Sequence, residues 1–161
     1  MRAMDVVALD HRTLIGIAER IDLPQWGVTR MRAKIDTGAR TSALHVDDVE
    51  EIGPDRVRFS IVLHRKKHDE RVVVEAPIVR RGRVRSSTGR VQERIFVSTR
   101  VVIGGVAKEV EISLASRGRM IYRMLLGRSA LASDFLVDPS RRYVATPPKK
   151  RKKKKTASPI A

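Results

Sequence analysis

The sequence predicts an all-β domain, mainly antiparallel, with one short helix. Hydrophobic residues make up 42% of the chain but aromatic residues only 4%, and the apolar positions are dominated by Val, Ile and Leu, which favour strands. Apolar and polar residues alternate along Val28–Ile35 and Val106–Leu114, as in strands with one buried face. Gly104-Gly105 separates Val106–Leu114 from the segment before it, Gln92–Ile103, as expected of a hairpin turn. A chain of 161 residues is long enough for one domain with a substantial core.

The first half of the chain reads as strands separated by turns. Residues 1–12 show no period, and we expect them to be flexible. Thr13–Arg20 predicts a first strand, which Pro24 ends, and Val28–Ile35 predicts a half-buried strand that leads directly into Asp36. Further segments are expected in this half: an acidic loop at 47–51, and a hairpin of Arg56–Leu63 and Arg71–Ile78 around a polar turn at 64–70.

The second half contains a further hairpin, a buried strand and the helix. Residues 80–90 are basic and Gly-containing, and they predict the mobile tip of a hairpin that continues into a strand at Gln92–Ile103. Met120–Gly127 is nearly all apolar, which is typical of a strand buried on both faces. Ser129–Phe135 predicts about two helical turns with Ser129 as the N-cap. We place the domain at residues 13–145 and a disordered polybasic tail at 146–161.

The composition limits the compartment and the class of partner. The formal net charge is +16, and without the seven basic residues of Lys149–Lys155 the remaining 27 still outnumber the 18 acidic ones. A surface of this kind attracts nucleic acid, anionic membranes or acidic peptides. No apolar run is long enough to span a membrane, no signal peptide is recognisable, and the chain has no Cys. We therefore expect a cytoplasmic protein without disulfides.

Two separated stretches carry the chemistry. The first is Ile35-Asp-Thr-Gly-Ala39, in which an acidic side chain follows a strand on a Gly-containing loop. Taken alone, Asp-Thr-Gly is more typical of a plain turn than of a site. The second is Met124-Leu-Leu-Gly-Arg128, an apolar stretch that ends in Gly and Arg before the predicted helix. The two stretches, found in this order in one chain, are far more specific than either stretch alone.

Together these stretches resemble the motifs of the retropepsin-like aspartic peptidases. The resemblance implies a retropepsin-like half-barrel in which Asp36, Thr37 and Gly38 form the catalytic loop. Four residues would support that loop from the second motif: Leu125, Leu126, Gly127 and Arg128. Because the chain has one such Asp-Thr-Gly loop, a catalytic pair of carboxylates requires a homodimer with Asp36 from each copy at the two-fold axis.

A closer resemblance covers about residues 12–144. Residues 33–45, Arg117–Met120 and Phe135–Ser140 are similar to a bacterial family usually labelled ATP-dependent zinc protease and associated with RimK-type ATP-grasp ligases. The residues do not favour that label. There is no His-Glu-x-x-His, the four His are scattered, and His64 and His68 lie in a predicted turn. No phosphate-binding loop is recognisable, so we expect neither a metal nor any other cofactor.

The sequence departs from the viral pattern in ways that bear on the substrate. Arg40 stands where the viral enzymes usually have an acidic residue, so Arg128 is expected to find another carboxylate. The counterpart of the flap is the Arg-rich segment 80–94. We assign substrate binding to residues beside the loop and in this segment: Ala39, Arg40, Arg85, Ser86 and Ser87. The basic flap favours an acidic substrate, and a solvated basic hairpin without such a role is the alternative.

Two functions remain open. The first is an aspartic-type peptidase that hydrolyses peptide bonds, acidic or glutamyl ones included, through a water activated by the Asp36 pair. The second is a non-catalytic peptidase-fold binding module that partners an ATP-grasp ligase or the ribosome. A zinc-dependent protease is the least favoured alternative. Residues 149–155 of the tail could also contact nucleic acid or another anionic surface.

Overall fold

The computed structural model describes residues 11–63, 70–86, 88–116 and 121–150. Strands dominate these residues, with one short helix, α1 (Arg128–Leu131), and a 3₁₀ turn at Pro24–Trp26. The strands are β1 (Thr13–Ile15), β2 (Ala18–Leu23), β3 (Val28–Ile35), β4 (Ser42–His45), β5 (Asp47–Glu51), β6 (Arg56–Val62), β7 (Arg71–Pro77), β8 (Arg80–Arg85), β9 (Val91–Ile103), β10 (Val106–Ala115), β11 (Met124–Leu126) and β12 (Phe135–Val137). The predicted all-β class with one short helix is confirmed.

The largest sheet closes on itself. Its strand order is β10-β4-β11-β3-β2-β9-β8, and β9 also pairs with β10. Closure of β10 onto β9 makes a barrel, and it leaves β8 as an added strand on the outside of β9. β5, β6 and β7 form a separate three-stranded antiparallel sheet, and β1 pairs with β12 in parallel.

The alternation of residues explains which face of each strand is buried. In β3, Met31, Ala33 and Ile35 are buried whereas Arg32 and Lys34 are exposed. The same residues appear in a core shared by the barrel and the three-stranded sheet, where Trp26 and Phe59 meet edge to face with ring centroids 5.4 Å apart. β3 therefore reaches Asp36 from a rigid, buried element.

Several predicted boundaries in the first half are wrong. Thr13–Arg20 is not one strand, because Gly16 and Ile17 separate β1 from β2. Gly16 packs directly against the backbone carbonyl of Arg141, where a Cβ would not fit. The segment 47–51 is not a loop but the exposed edge strand β5, which pairs with β6. The predicted turn at 64–70 lies outside the described residues except for Glu70.

The second half also differs from the prediction at three places. Residues 80–85 form β8, which is fully paired with β9, rather than an unpaired hairpin tip. The predicted buried strand over Met120–Gly127 shrinks to β11, and Ile121 before it is 65% exposed. The helix has a single turn and begins at Arg128, with Gly127 rather than Ser129 as the N-cap. The strand β8 was missed because it is rich in Arg and lacks an apolar face, so its sequence does not predict the pairing with β9.

Residues 138–147, called the strap here, run back along β2. The amide of Ile17 donates to the carbonyl of Arg141, and that of Tyr143 donates to Ala18, both at 2.8 Å. The strap also holds the buried carboxylate of Glu19, which accepts hydrogen bonds from the backbone N–H groups of Gly16 (2.9 Å), Val144 (2.8 Å), Ala145 (3.1 Å) and Thr146 (3.0 Å) and from the Thr146 hydroxyl. These contacts extend one residue past the domain boundary drawn at 145, which stays a prediction, as does the tail.

Within the described part of the chain, no helix is long and apolar enough to cross a membrane. The cytoplasmic location stays a prediction.

Candidate active site

The two stretches singled out in the sequence meet in space and lock together. β11 pairs in parallel with β3, so that Leu126 lies beside Ile35, and the amide of Asp36 donates to the carbonyl of Leu126 at 2.9 Å. The amide of Arg128 donates to Ala39 at 2.8 Å, and that of Ser129 donates to Arg40 at 3.0 Å. The loop after β3 is therefore held by backbone hydrogen bonds from the residues that follow β11.

Gly127 stands at the crossing of the two stretches. Its amide donates to the hydroxyl of Ser42 at 3.1 Å, and a Cβ at this position would overlap the carbonyl of Thr41. Only Gly permits so close an approach of two backbones. Arg128 then reaches back, and its guanidinium donates to the carbonyl of Thr37 at 3.0 Å. The expectation that Arg128 finds a carboxylate is wrong, because a backbone carbonyl of the loop takes that place.

The carboxylate of Asp36 lies at the tip of this framework and is only partly buried. One of its oxygens accepts a hydrogen bond from the amide of Gly38 at 3.0 Å. Gly38 lies against the same oxygen, since a Cβ there would stand 3.2 Å from it. Among the described residues, Asp36 has no ion-pair partner, so the rest of its hydrogen-bonding capacity faces the cleft.

Asp36 opens onto a cleft with a volume of about 1430 Å³. Its walls come from the two interlocked loops, the outer face of the barrel and the β8–β9 hairpin. The charged side chains that line it are Lys34, Asp36, Arg40, Arg80, Arg83, Arg85, Arg94, Glu111 and Arg142. Seven of these nine are basic, so the cleft carries a strongly positive potential that favours an anionic ligand.

The hairpin wall is built from ordered basic residues. The guanidinium of Arg80 lies over the ring of Phe96, 3.6 Å from its centroid, and forms an ion pair with Glu111. Gly82 leaves room for this arrangement, because a Cβ would press on Phe96. Arg94 is only 9% exposed, and its guanidinium donates to the hydroxyl of Ser113 at 3.4 Å. The wall is therefore a paired strand with fixed cations, not an unpaired tip.

The predicted site residues divide into two groups by position. Those that line the cleft are Asp36, Gly38, Ala39, Arg40, Arg85, Ser86 and Leu125. Thr37, Leu126, Gly127 and Arg128 instead hold the loop through the contacts given above. Ser87 lies outside the described residues. The catalytic, substrate-binding and supporting roles themselves stay predictions.

Sequence reasoning missed several residues of the cleft. Lys34 lies two residues before Asp36 on the outward face of β3, beside Leu125 of β11, and both side chains line the cleft. The period of two in β3 could have identified Lys34. Arg142 comes from the strap, which the sequence gives no means of placing near Asp36. Thr41, Ala43 and Ser129 complete the floor.

The histidines do not gather into a ligand set in the described residues. No group of three or more His, Asp or Glu side chains there is close enough to hold a metal ion, and His64 and His68 lie outside that part. His45 is buried, and burial, reinforced by the charge of Arg123, lowers its pKa although Asp47 acts in the opposite direction. We derive no step through zinc, and the expectation that no metal or cofactor is needed stays a prediction.

Comparison with known proteins bears on both the fold and the function. Residues 14–148 match the RimB-like family, described as the retropepsin-like aspartic endopeptidase RimB. Proteins named "Probable alpha-L-glutamate ligase" from Shewanella halifaxensis and Parasynechococcus marenigrum are 34% and 33% identical over 139 and 134 residues. These matches cover 83% and 81% of this chain but only 30% and 29% of the relatives, so the chain spans under a third of their length.

A solved structure supports the same assignment. The crystal structure of a protein of unknown function from Legionella pneumophila superposes with a TM-score of 0.69 at 26% identity, covering 83% of this chain and 98% of that one. The interlocked loops, the barrel and the match over residues 14–148 lead to one conclusion: the chain belongs to the RimB-like family of retropepsin-like aspartic endopeptidases.

Proposed function

We propose that the protein is an aspartic-type peptidase that acts as a homodimer on acidic peptides. The observation that carries the proposal is the carboxylate of Asp36, presented to a large cleft by a loop that backbone hydrogen bonds fix in place. A rigid loop that leaves a carboxylate open to substrate is the arrangement that general acid–base catalysis requires.

The chemistry requires a second carboxylate, which a second copy of the chain would supply. Two carboxyl groups held close together share one proton and titrate as a unit. The ionised group takes a proton from a water molecule as the oxygen of that water attacks the peptide carbonyl carbon. The protonated group donates to the carbonyl oxygen. Collapse of the tetrahedral intermediate breaks the C–N bond, and the leaving amine takes up a proton.

The basic cleft supports an acidic substrate. Lys34, Arg40, Arg85 and Arg142 line it, and within the described residues none of them has an ion-pair partner. Guanidinium groups bind carboxylates with paired hydrogen bonds, so an unpaired Arg facing a cleft favours carboxylate side chains on the ligand. The relatives named as glutamate ligases agree with this preference, and we propose glutamyl peptides as the substrate class.

The experiment compares the protein with Asp36→Asn on a hexaglutamyl peptide and on a matched hexaglutaminyl peptide, with products identified by mass spectrometry. We expect cleavage of the glutamyl peptide only, and a loss of at least about a hundredfold in Asp36→Asn, the scale of general acid–base catalysis. The rate should fall more steeply than linearly on dilution as the dimer dissociates. Full activity in Asp36→Asn, or its removal by a chelator, would contradict the aspartic mechanism.

A second candidate is a binding module without turnover. It is favoured by the relatives, which are named as ligases and have more than two thirds of their length outside the matched region. In this case the chain would serve a separate ATP-grasp ligase, or the ribosome, through its basic surface. Binding of a glutamyl peptide that weakens steeply with salt, with no cleavage at any pH, would favour this candidate over the first.

A further inference from the structure

A second basic surface lies outside the cleft, on the outward face of the β2–β3 hairpin. In β2, Glu19 and Ile21 are buried, so Arg20 between them faces outward, and in β3 the exposed Arg32 lies between the buried Met31 and Ala33. The register places Arg20 directly opposite Arg32. Two cations in this position repel each other and destabilise the strand pair. The hairpin therefore carries a cost in stability that packing does not explain.

Acidic residues offset only part of the positive charge of this face. Asp22 is the acidic residue of β2 that faces outward, and it accepts a hydrogen bond from the amide of Arg30 at 2.7 Å rather than from a guanidinium. The other acidic residue of β2, Glu19, points inward to the strap. Within the described residues, Arg32 has no ion-pair partner.

The strap adds to the positive charge. Arg20 donates to the carbonyl of Thr146 at 3.0 Å and lies over the ring of Tyr143, while Arg30 donates to the carbonyl of Pro147 at 3.2 Å. Both contacts use neutral oxygens, so both guanidinium groups keep their charge and their remaining donors. The exposed Lys149 and Lys150 follow directly along the chain. We call the set of Arg20, Arg30, Arg32, Lys149 and Lys150 the basic face.

The basic face lacks what a protein partner or a membrane would require. The large hydrophobic residues that the described part of the chain exposes are Leu14, Val49, Val73, Val79, Val91, Ile121 and Leu136, and none of them lies on β2, on β3 or beyond residue 137. Protein interfaces depend on apolar or aromatic anchors, and peripheral membrane binding is strengthened by apolar insertion. A phosphate backbone requires only cations, and Arg is well suited to it.

We propose that the basic face binds the phosphate backbone of a nucleic acid strand. The guanidinium groups of Arg20, Arg30 and Arg32 contact successive phosphates, and Lys149 and Lys150 continue the track past the end of the strap. The interaction is electrostatic and independent of base sequence. It does not rest on the peptidase function, because the residues of the basic face do not line the cleft of Asp36.

The test measures binding of a fluorescent poly(U) oligonucleotide by anisotropy over a series of salt concentrations. All proteins carry Asp36→Asn, so that peptidase activity cannot affect the result, and all keep the complete C-terminus, so that its contribution is equal in each. We expect Arg32→Gln to weaken binding about fivefold and to reduce the slope of log K against log salt by about 0.7, the value for one phosphate contact on a single strand. Arg32→Lys should keep the slope.

Arg56→Gln is the matched control. Arg56 is an exposed residue of β6, in the separate sheet, and it has no ion-pair partner in the described residues. Its substitution by Gln removes the same charge as Arg32→Gln does. We expect it to leave both affinity and slope unchanged. Equal effects of Arg32→Gln and Arg56→Gln would overturn the proposal, as would absent binding of poly(U). Tighter binding to vesicles containing phosphatidylserine than to poly(U) would also overturn it, in favour of a membrane.

Discussion

Glu19 in β2 and Asp36 in the loop after the neighbouring strand β3 are two carboxylates with opposite surroundings. Glu19 is fully buried and accepts hydrogen bonds from five donors. Asp36 accepts one, from Gly38, and faces the cleft. A buried charge is tolerated only when its hydrogen-bonding capacity is filled, whereas a reactive group needs capacity left for substrate. The number of donors around each carboxylate thus separates a structural acid from a candidate catalytic one.

The contrast extends to what each group holds in place. Glu19 fixes the strap, which brings Arg142 to the cleft. Among the described residues, the carboxylate of Asp36 fixes no other segment of the chain. The loop that carries it is instead held by backbone hydrogen bonds with Leu126 and with the residues after Gly127. Removing Glu19 should therefore affect the whole domain, and removing the charge of Asp36 should affect the chemistry alone.

The largest expected effect on stability comes from Glu19→Gln. The amide keeps one acceptor oxygen but turns the other into a donor that faces backbone N–H groups, so at least two buried donors lose their partners. We expect the free energy of unfolding to fall by about 3 kcal/mol, measured by urea denaturation. Asp36→Asn is the matched control and should change it by less than about 0.5 kcal/mol. Equal losses in both variants would mean that the two carboxylates do not differ as described.

The next effect concerns the crossing point beneath Asp36. In Gly127→Ala, the new Cβ would overlap the carbonyl of Thr41, and the backbone would have to shift. We expect a loss of about 2 kcal/mol, as for overpacking of a rigid site, together with a loss of hydrolysis of the hexaglutamyl peptide.

Gly27→Ala is the control for this substitution. Gly27 has a φ of 68°, so Ala is strained there, but nothing lies within 4 Å of the added Cβ. Since Gly27 lies outside the cleft, we expect reduced stability with unchanged hydrolysis. Unchanged hydrolysis in Gly127→Ala would show that the position of Asp36 does not depend on the crossing.

The comparison also explains what the sequence could predict. Asp36 could be identified because its loop is continuous in sequence, Ile35 to Ala39, and because a second continuous stretch, Met124 to Arg128, matches it. The role of Glu19 could not, because four of its five donors belong to residues 144–146, and backbone N–H groups carry no residue signature. Arg142 was missed for the same reason, since it depends on the path of the strap.

Strands were predicted where one face is buried and missed where neither is. β3 and β10 alternate clearly, and their predicted ranges agree closely with the structure. β5 and β8 have mostly exposed side chains, and backbone pairing with β6 and β9 defines them instead. An edge strand of this kind resembles a charged loop in sequence, which is why the acidic segment 47–51 and the basic segment 80–85 were both misassigned.

The smallest expected effect is the pH dependence of stability. Burial by itself raises the pKa of Glu19, but the hydrogen bonds from the Thr146 hydroxyl and from the amides of Gly16, Ala145 and Val144 outweigh it, so the pKa lies below its ordinary value of 4.5. The unfolded chain therefore binds a proton before the folded one does. This stabilisation is complete above pH 4.5 and is lost as the pH falls through the folded pKa. In Glu19→Gln, the curve of unfolding free energy against pH should be flatter below pH 4.5.

Asp138 provides the control at a more exposed position than that of Glu19. Hydrogen bonds from the Ser140 hydroxyl, from Arg141 and from the amide of Ser140 lower the pKa of Asp138 from 3.8 to about 2, so its stabilisation is lost between those two values. Asp138→Asn should flatten the curve only in that window, and by less than Glu19→Gln, because solvent screens the partly exposed Asp138 more than the buried Glu19. Equal flattening in Asp138→Asn and Glu19→Gln would show that burial does not separate these two carboxylates.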